Sequence, residues 1–111
     1  MPESSGRIGI AINPDTPVSR ITGILKYIPN VLVMAVNPGW SGQQFNPIAL
    51  DKVRSIKAMN PTIHVTVDGG VTPEIARQLM EAGADEVVIG KALTDAPMPV
   101  AALEEFRKAL S

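Results

Sequence analysis

Four short runs along the chain are apolar and rich in β-branched residues: Ile8 to Ile12, Val31 to Val36, Ile63 to Val67 and Glu86 to Ile89. They alternate poorly between apolar and polar, as parallel strands do when both faces are covered. Each run is followed by a turn and then by apolar residues at helical spacing. After the first, Asn13-Pro14-Asp15-Thr16-Pro17 reads as a turn with a capping residue and a proline at the first helical position. Val18, Ile21, Ile24, Leu25 and Ile28 then give an amphipathic helical stripe. After the second run a long segment, Asn37 to Asn46, precedes a helix presenting Ile48, Leu50, Val53 and Ile56. After the third, Asp68-Gly69-Gly70-Val71 leads into Thr72-Pro73, a strong helix start. Ile75, Ala76, Leu79 and Met80 form the buried stripe of that helix, and Gly83 stops it. After the fourth, Gly90-Lys91-Ala92-Leu93 opens a looser stretch containing Pro97 and Pro99, and a C-terminal helix within 97–111 turns Val100, Leu103, Phe106 and Leu110 inward.

Strand alternating with helix four times predicts an α/β fold of parallel βα units, with four parallel strands in a single domain over 1–111. The strand starts also hint at a repeat, since Ile8 to Ile63 and Val31 to Glu86 are both 55 residues apart (63 − 8 and 86 − 31). Four units make half of a TIM-type barrel. Because runs such as Val31-Leu32-Val33-Met34 and Val87-Val88-Ile89 are apolar on both parities, the sheet face away from the helices is expected to be oily. An uncovered oily face and two unpaired strand edges predict that the chain is not a stable monomer, but pairs as a homodimer or with a complementary N-terminal half-barrel.

Composition narrows the partners. With 10 basic and 11 acidic residues and a net charge of −1, the chain has no electrostatic reason to bind nucleic acid or an anionic membrane. A small anion remains open, because backbone dipoles bind anions without a basic surface. The absence of cysteine removes disulfides, thiolate metal sites and Cys nucleophiles. Residues Met1 to Arg7 show no secretory pattern and no apolar run reaches the ~20 residues of a membrane span, so a cytoplasmic location is expected.

Candidate chemistry gathers at the carboxyl ends of the predicted strands, where barrels place their active sites. Asp68 is a carboxylate at such an end, and Gly69 and Gly70 after it let backbone N–H groups approach an anion at a helix start. The plainer alternative is a tight turn with Asp68 as a cap. Gly90 and Lys91 follow the last strand, and the loops after the last two barrel strands commonly hold phosphate. Lys91 either adds charge there or points to solvent. The segment Asn37-Pro38-Gly39-Trp40-Ser41-Gly42-Gln43-Gln44-Phe45 exceeds the usual βα connection of ~2–6 residues and suits a cover over a ligand, or a surface loop anchored by Trp40 and Phe45. His64, the sole histidine, lies four residues below Asp68 on the same parity, roughly 13 Å away, and is expected to fill the barrel interior or its bottom rim.

With these residues in view, the chain resembles the C-terminal half of the ribulose-phosphate 3-epimerase family, its strands five to eight, over about 7–93. Val31 to Gln43 resembles the family's sixth strand and phosphate loop, Val67-Asp68-Gly69-Gly70-Val71 its seventh-strand signature, and Ala82-Gly83-Ala84-Asp85 with Gly90 its approach to strand eight. The resemblance implies an isomerase of pentose-phosphate metabolism that epimerises the carbon beside a ketone through an enediolate. It implies that Asp68 is both acid/base group and ligand of a divalent metal (zinc, iron or manganese), and that Met34 lines the site. The backbone of Gly39, Trp40, Ser41 and Gly42 would cover the phosphate of a phosphorylated sugar, gripped from the other side by Gly69, Gly70, Gly90 and Lys91.

Three positions depart from the family pattern: Ser41 and Thr66 stand where glycine and glutamate are usual, and Lys91 where serine is usual. The family's second catalytic Asp and its two His metal ligands lie on earlier strands, outside the match. The expectation is therefore a phosphosugar-binding portion that is inactive alone and holds no metal without a complementary half. The alternatives are a non-catalytic half-barrel binding or assembly module, truncated or engineered, and another phosphate-binding barrel enzyme such as a hexulose-phosphate or thiamin-phosphate synthase relative. The Asn37 to Gln43 segment argues against the last.

Overall fold

The computed structural model describes residues 8–36, 44–90 and 94–110. Four parallel strands form one sheet: β1 (Gly9–Ile12), β2 (Asn30–Met34), β3 (His64–Asp68) and β4 (Glu86–Val88), ordered β1-β2-β3-β4. Each strand lies beside its successor in sequence, with no reversal of order such as doubly wound sheets show. Right-handed crossovers then put every connection on the same side of the sheet. Burial agrees. Ile12, Val31, Val33, Ala35, Ile63, Val65 and Val67 point toward the helices and are buried.

Three α-helices cover that side: α1 (Ile48–Met59), α2 (Pro73–Ala82) and α3 (Pro99–Leu110). Helix α2 matches its sequence signals closely. Thr72 is the N-cap, its Oγ1 accepting the Ile75 N–H at 3.2 Å, Pro73 stands in the first turn, and Gly83 caps the other end with φ +115°. Ala76 and Leu79 are buried in the core, while Met80 is exposed. Helix α1 buries Ala49, Lys52, Val53 and Ile56 and leaves Ile48 exposed, so its inward stripe is rotated from the expected one. Helix α3 packs on α2 through buried Phe106, and Leu103 is half-buried. Val100 (75% exposed) and Leu110 (42%) do not face inward as expected, since α3 meets only one neighbouring layer here.

The first crossover departs further from expectation. Instead of an α-helix over 18–28, two 3-10 turns form at Val18–Arg20 and Leu25–Tyr27. Their bonds run mostly three residues back, from the Ile21 N–H to the Val18 carbonyl and from the Ile24 N–H to the Ile21 carbonyl. The stretch offers five β-branched residues (Val18, Ile21, Thr22, Ile24 and Ile28) beside Gly23, all weaker helix formers than alanine or leucine. Ile21 and Leu25 are still buried, because apolar spacing of three and four suits either turn geometry.

Among the described residues, no layer covers the opposite sheet face. Register places its side chains in rows: Gly9, Asn30 and His64; then Ala11, Leu32, Thr66 and Glu86; then Met34, Asp68 and Val88. Such rows are what the interior of a barrel is made of. The face is therefore mixed rather than oily, contrary to expectation, because strand parity sends most valines and isoleucines to the helix side. An open groove of about 690 Å3 runs over it, lined by Ala11, Asn30, Leu32, His64, Thr66 and Glu86 among others. Among the described residues no helix is long and apolar enough to cross a membrane.

Candidate functional site

The carboxyl ends of the strands converge on one rim. Asp68 closes β3 there, flanked in register by Met34 on β2 and Val88 on β4. Its side chain shares the open face with both, and its carbonyl accepts the Ala35 N–H at 2.7 Å. The chain then turns sharply. Gly69 has φ +123° and Gly70 φ +67°, conformations that favour glycine. At Gly69 space forbids a side chain as well, since a Cβ would lie 2.9 Å from Val36 Cγ2 and 3.0 Å from the Val36 nitrogen. Two residues later Thr72 starts α2, so the free N–H groups and positive dipole end of a ten-residue helix lie immediately beyond the glycine pair.

Gly90 follows β4 on the same rim. A Cβ there would meet nothing within 4 Å, so its missing side chain leaves open room rather than relieving a clash. Its carbonyl accepts the Thr94 N–H at 3.1 Å, starting the next turn. The residues Gly39, Trp40, Ser41 and Gly42, expected to cover a phosphate, and Lys91, expected to grip it, lie outside the described residues. The ends of the first segment are pinned to the same rim. The Asn46 N–H donates to the Ala35 carbonyl at 2.9 Å, and Asn46 Oδ1 accepts the Ile48 N–H as α1 begins.

His64 lies at the opposite end of the sheet. Its Nε2 donates to Glu86 Oε1 at 2.9 Å on the open face, which is the bottom-rim position expected from strand parity. It lies four strand positions from Asp68, roughly 13 Å. Among the described residues no three His, Cys, Asp or Glu side chains come together as a metal site. Asp68 alone is a poor chelator, so the described residues do not by themselves fit the divalent ion that the family resemblance implies. The groove over the open face lies toward the strand amino ends and includes neither Asp68 nor the glycine turns. What marks the rim is its chemistry: a carboxylate, glycine turns and a helix N-terminus.

Two side chains that no sequence motif announced support this geometry. Lys52 on α1 is buried, and its ammonium donates to the carbonyls of Asn13 (3.0 Å), Pro14 (2.8 Å) and Thr16 in the turn after β1. Burial lowers its pKa, opposed by the charge of Asp15. It thereby ties the first rim loop to the second crossover helix. The available signal was a lysine on the apolar stripe of Ala49, Val53 and Ile56. Beneath the sheet, Asp85 Oδ2 accepts from Lys57 Nζ at 2.6 Å and from the Val65 N–H at 2.9 Å. Burial works to raise the Asp85 pKa, but hydrogen bonds from Lys57 and Val65 and the nearby Lys57 and His64 outweigh it and hold the carboxyl below its usual range.

Comparison with known proteins agrees with this geometry. Residues 3–94 match the model of the ribulose-phosphate 3-epimerase family. The chain is 38% identical over 109 residues to the ribulose-phosphate 3-epimerase of Mycobacterium bovis, covering 95% of this chain and 48% of that protein. It is 34% identical over 113 residues to the Escherichia coli enzyme of the same name, covering 98% and 50%. The chain thus spans about half the length of these curated relatives. By fold it is similar to 3-hexulose-6-phosphate synthase from Salmonella typhimurium, with a TM-score of 0.74 over 97% of this chain and 51% of that one, at only 15% identity. Parallel βα units in barrel order, Asp68 and the glycine pair at a strand end, and the family match over most of its length lead to one assignment: the chain belongs to the ribulose-phosphate 3-epimerase family.

Proposed function

We propose that this chain is the phosphosugar-binding portion of an epimerase-type isomerase of pentose-phosphate metabolism, catalytically incomplete without four further βα units. The observation that carries the reading is the path from Asp68 through Gly69 and Gly70 to the Thr72-capped start of α2, in a chain of this family. Glycine backbone at a helix start receives a phosphate without needing a basic side chain. Gly90 has room to approach the same anion, and Gly39 to Gly42 and Lys91 complete the proposed enclosure. Asp68, beside Met34, is the proposed acid/base group at the sugar. Removing a proton from one face and returning it on the other needs a second acid/base group, which in this reading the complementary units provide together with the remaining metal ligands. The reading places the chain in the cytoplasm.

Titration with inorganic phosphate, followed by amide NMR, tests the binding half of the proposal. Gly69, Gly70 and Gly90 are expected to shift together; stationary glycine signals while others move would overturn the site. A coupled assay on ribulose 5-phosphate with zinc, iron or manganese tests the catalytic half. The isolated chain is expected to give no enzyme-like turnover. Robust turnover abolished by Asp68→Asn would mean that a second acid/base group resides in this chain.

A further inference from the structure

Lys52 is only 5% exposed, and its ammonium ends in a cup of backbone oxygens. It donates to the carbonyls of Asn13 at 3.0 Å, Pro14 at 2.8 Å and Thr16, so each of its three N–H bonds has an acceptor and none of these acceptors is a carboxylate. The cup has closures of its own that do not involve the lysine. The Thr16 N–H donates to the Asn13 carbonyl at 2.9 Å, and the Asn13 N–H donates to Thr16 Oγ1 at 3.2 Å. Proline sets the rest. Pro17 holds φ −68°, and Pro14 is restricted by its ring in the same way. A proline also restricts ψ of the residue before it, and ψ decides where that residue's carbonyl points. Asn13 and Thr16 each precede a proline, so two of the three acceptors are aimed by the sequence of the turn itself.

Three oxygens held around one point match a primary ammonium group, which offers three donors and places its charge at the negative ends of three dipoles. Lys52 shares the buried side of α1 with Ala49, Val53 and Ile56, surroundings that suit an apolar stem behind the charged head. We propose that the turn after β1 is a receptor for a primary alkylammonium group, filled in the native chain by Lys52 and open to a free alkylammonium ion once that side chain is cut back. Lys52→Ala removes Cγ, Cδ, Cε and Nζ, which together are the heavy atoms of n-propylammonium, so the covalent structure itself fixes the ligand length. Turn and helix both lie within this chain and enclose the ammonium without a further element. None of these residues belongs to the proposed phosphate grip.

Two measurements on the full chain test the receptor. In the native chain the ζ-ammonium protons of Lys52 should give slowly exchanging NMR signals at neutral pH, as a caged group does. A rapidly exchanging ammonium overturns the proposal, whatever the variants do. Lys52→Ala is then titrated with methyl-, ethyl-, n-propyl- and n-butylammonium chloride, with tetramethylammonium chloride at equal concentration as the control for general salt effects. The urea midpoint should rise saturably, most with n-propylammonium, and the amide signals of Asn13, Asp15 and Thr16 should shift over the same concentrations. Should Lys52→Ala be unfolded in buffer alone, the same ranking is expected in the folded signal that each amine restores. Lys52→Met, whose own side chain refills the stem, and the native chain should respond no more than in the control salt. An optimum at another length, equal effects of all four amines, no effect beyond the control, or a propylammonium response in Lys52→Met equal to that of Lys52→Ala overturns the proposal.

Discussion

Gly69 and Val36 are so close that a methyl group on one would sit 2.9 Å from Cγ2 of the other. The turn that carries the proposed phosphate site therefore depends on a missing side chain at position 69, where φ is also +123°. Gly69→Ala is expected to cost about 1–3 kcal/mol of stability from backbone strain and contact together. Gly90→Ala, whose methyl meets nothing, should stay within ~0.5 kcal/mol of wild type. Urea denaturation of both variants at one protein concentration makes the comparison. Equal midpoints for Gly69→Ala and wild type would refute the crowding argument.

Lys52 satisfies three carbonyls of the rim loop at once. Lys52→Met keeps the apolar stem but leaves those oxygens without their cation, at an expected cost of about 2–4 kcal/mol. Lys52→Arg should not restore stability, because a planar guanidinium does not fit acceptors that converge on a point. Thermal unfolding of the two variants side by side is the check, and full rescue by arginine is the adverse result.

The Asp85 carboxyl titrates below its ordinary value of 3.8 in the fold. A depressed acid stabilises the folded chain above its unfolded pKa and loses that contribution as pH falls through the folded one. Stability should accordingly drop below about pH 4, and Asp85→Asn should flatten that part of the profile while lowering stability at neutral pH. Urea midpoints measured from neutral pH down to about pH 3 give the slope. An unchanged acid slope in the variant would assign the acid sensitivity to other carboxyls.

Thr72 fixes where α2 begins, and so where the helix faces the glycine pair. Thr72→Ala should cost ~1 kcal/mol and Thr72→Ser should recover most of it, since only the hydroxyl acceptor matters. Chemical denaturation resolves the difference, and a serine variant no better than alanine would deny the cap its role.

Much of this architecture can be read from residue order alone, for local reasons. β-Branched runs separated by glycine, proline and helix-cap residues mark the strands, and Thr72-Pro73 with Gly83 delimits α2 almost to the residue because each end is set by its own chemistry. What stays hidden depends on register. Val31-Leu32-Val33-Met34 looks apolar on both sides, and only pairing with β3 and β4 shows that the open face also collects Asn30, His64, Thr66 and Glu86. The stripe over 18–28 could not distinguish an α-helix from 3-10 turns, since both bring residues three apart to one side. Lys52 was silent because a buried cation reads like a surface one until the carbonyls around it, some 36 to 39 positions away, are placed.

The hydrogen bond from the Asn46 N–H to the Ala35 carbonyl makes the chain between them a cassette. Strand β2 and helix α1 are held by their own packing and by this clasp, and at its two ends Val36 lies against Gly69 while Phe45 packs on the core. Doubling the length of a connection costs only about 0.6 kcal/mol in closure entropy. Exchange or insertion between Val36 and Phe45 can therefore leave the sheet beneath folding as before.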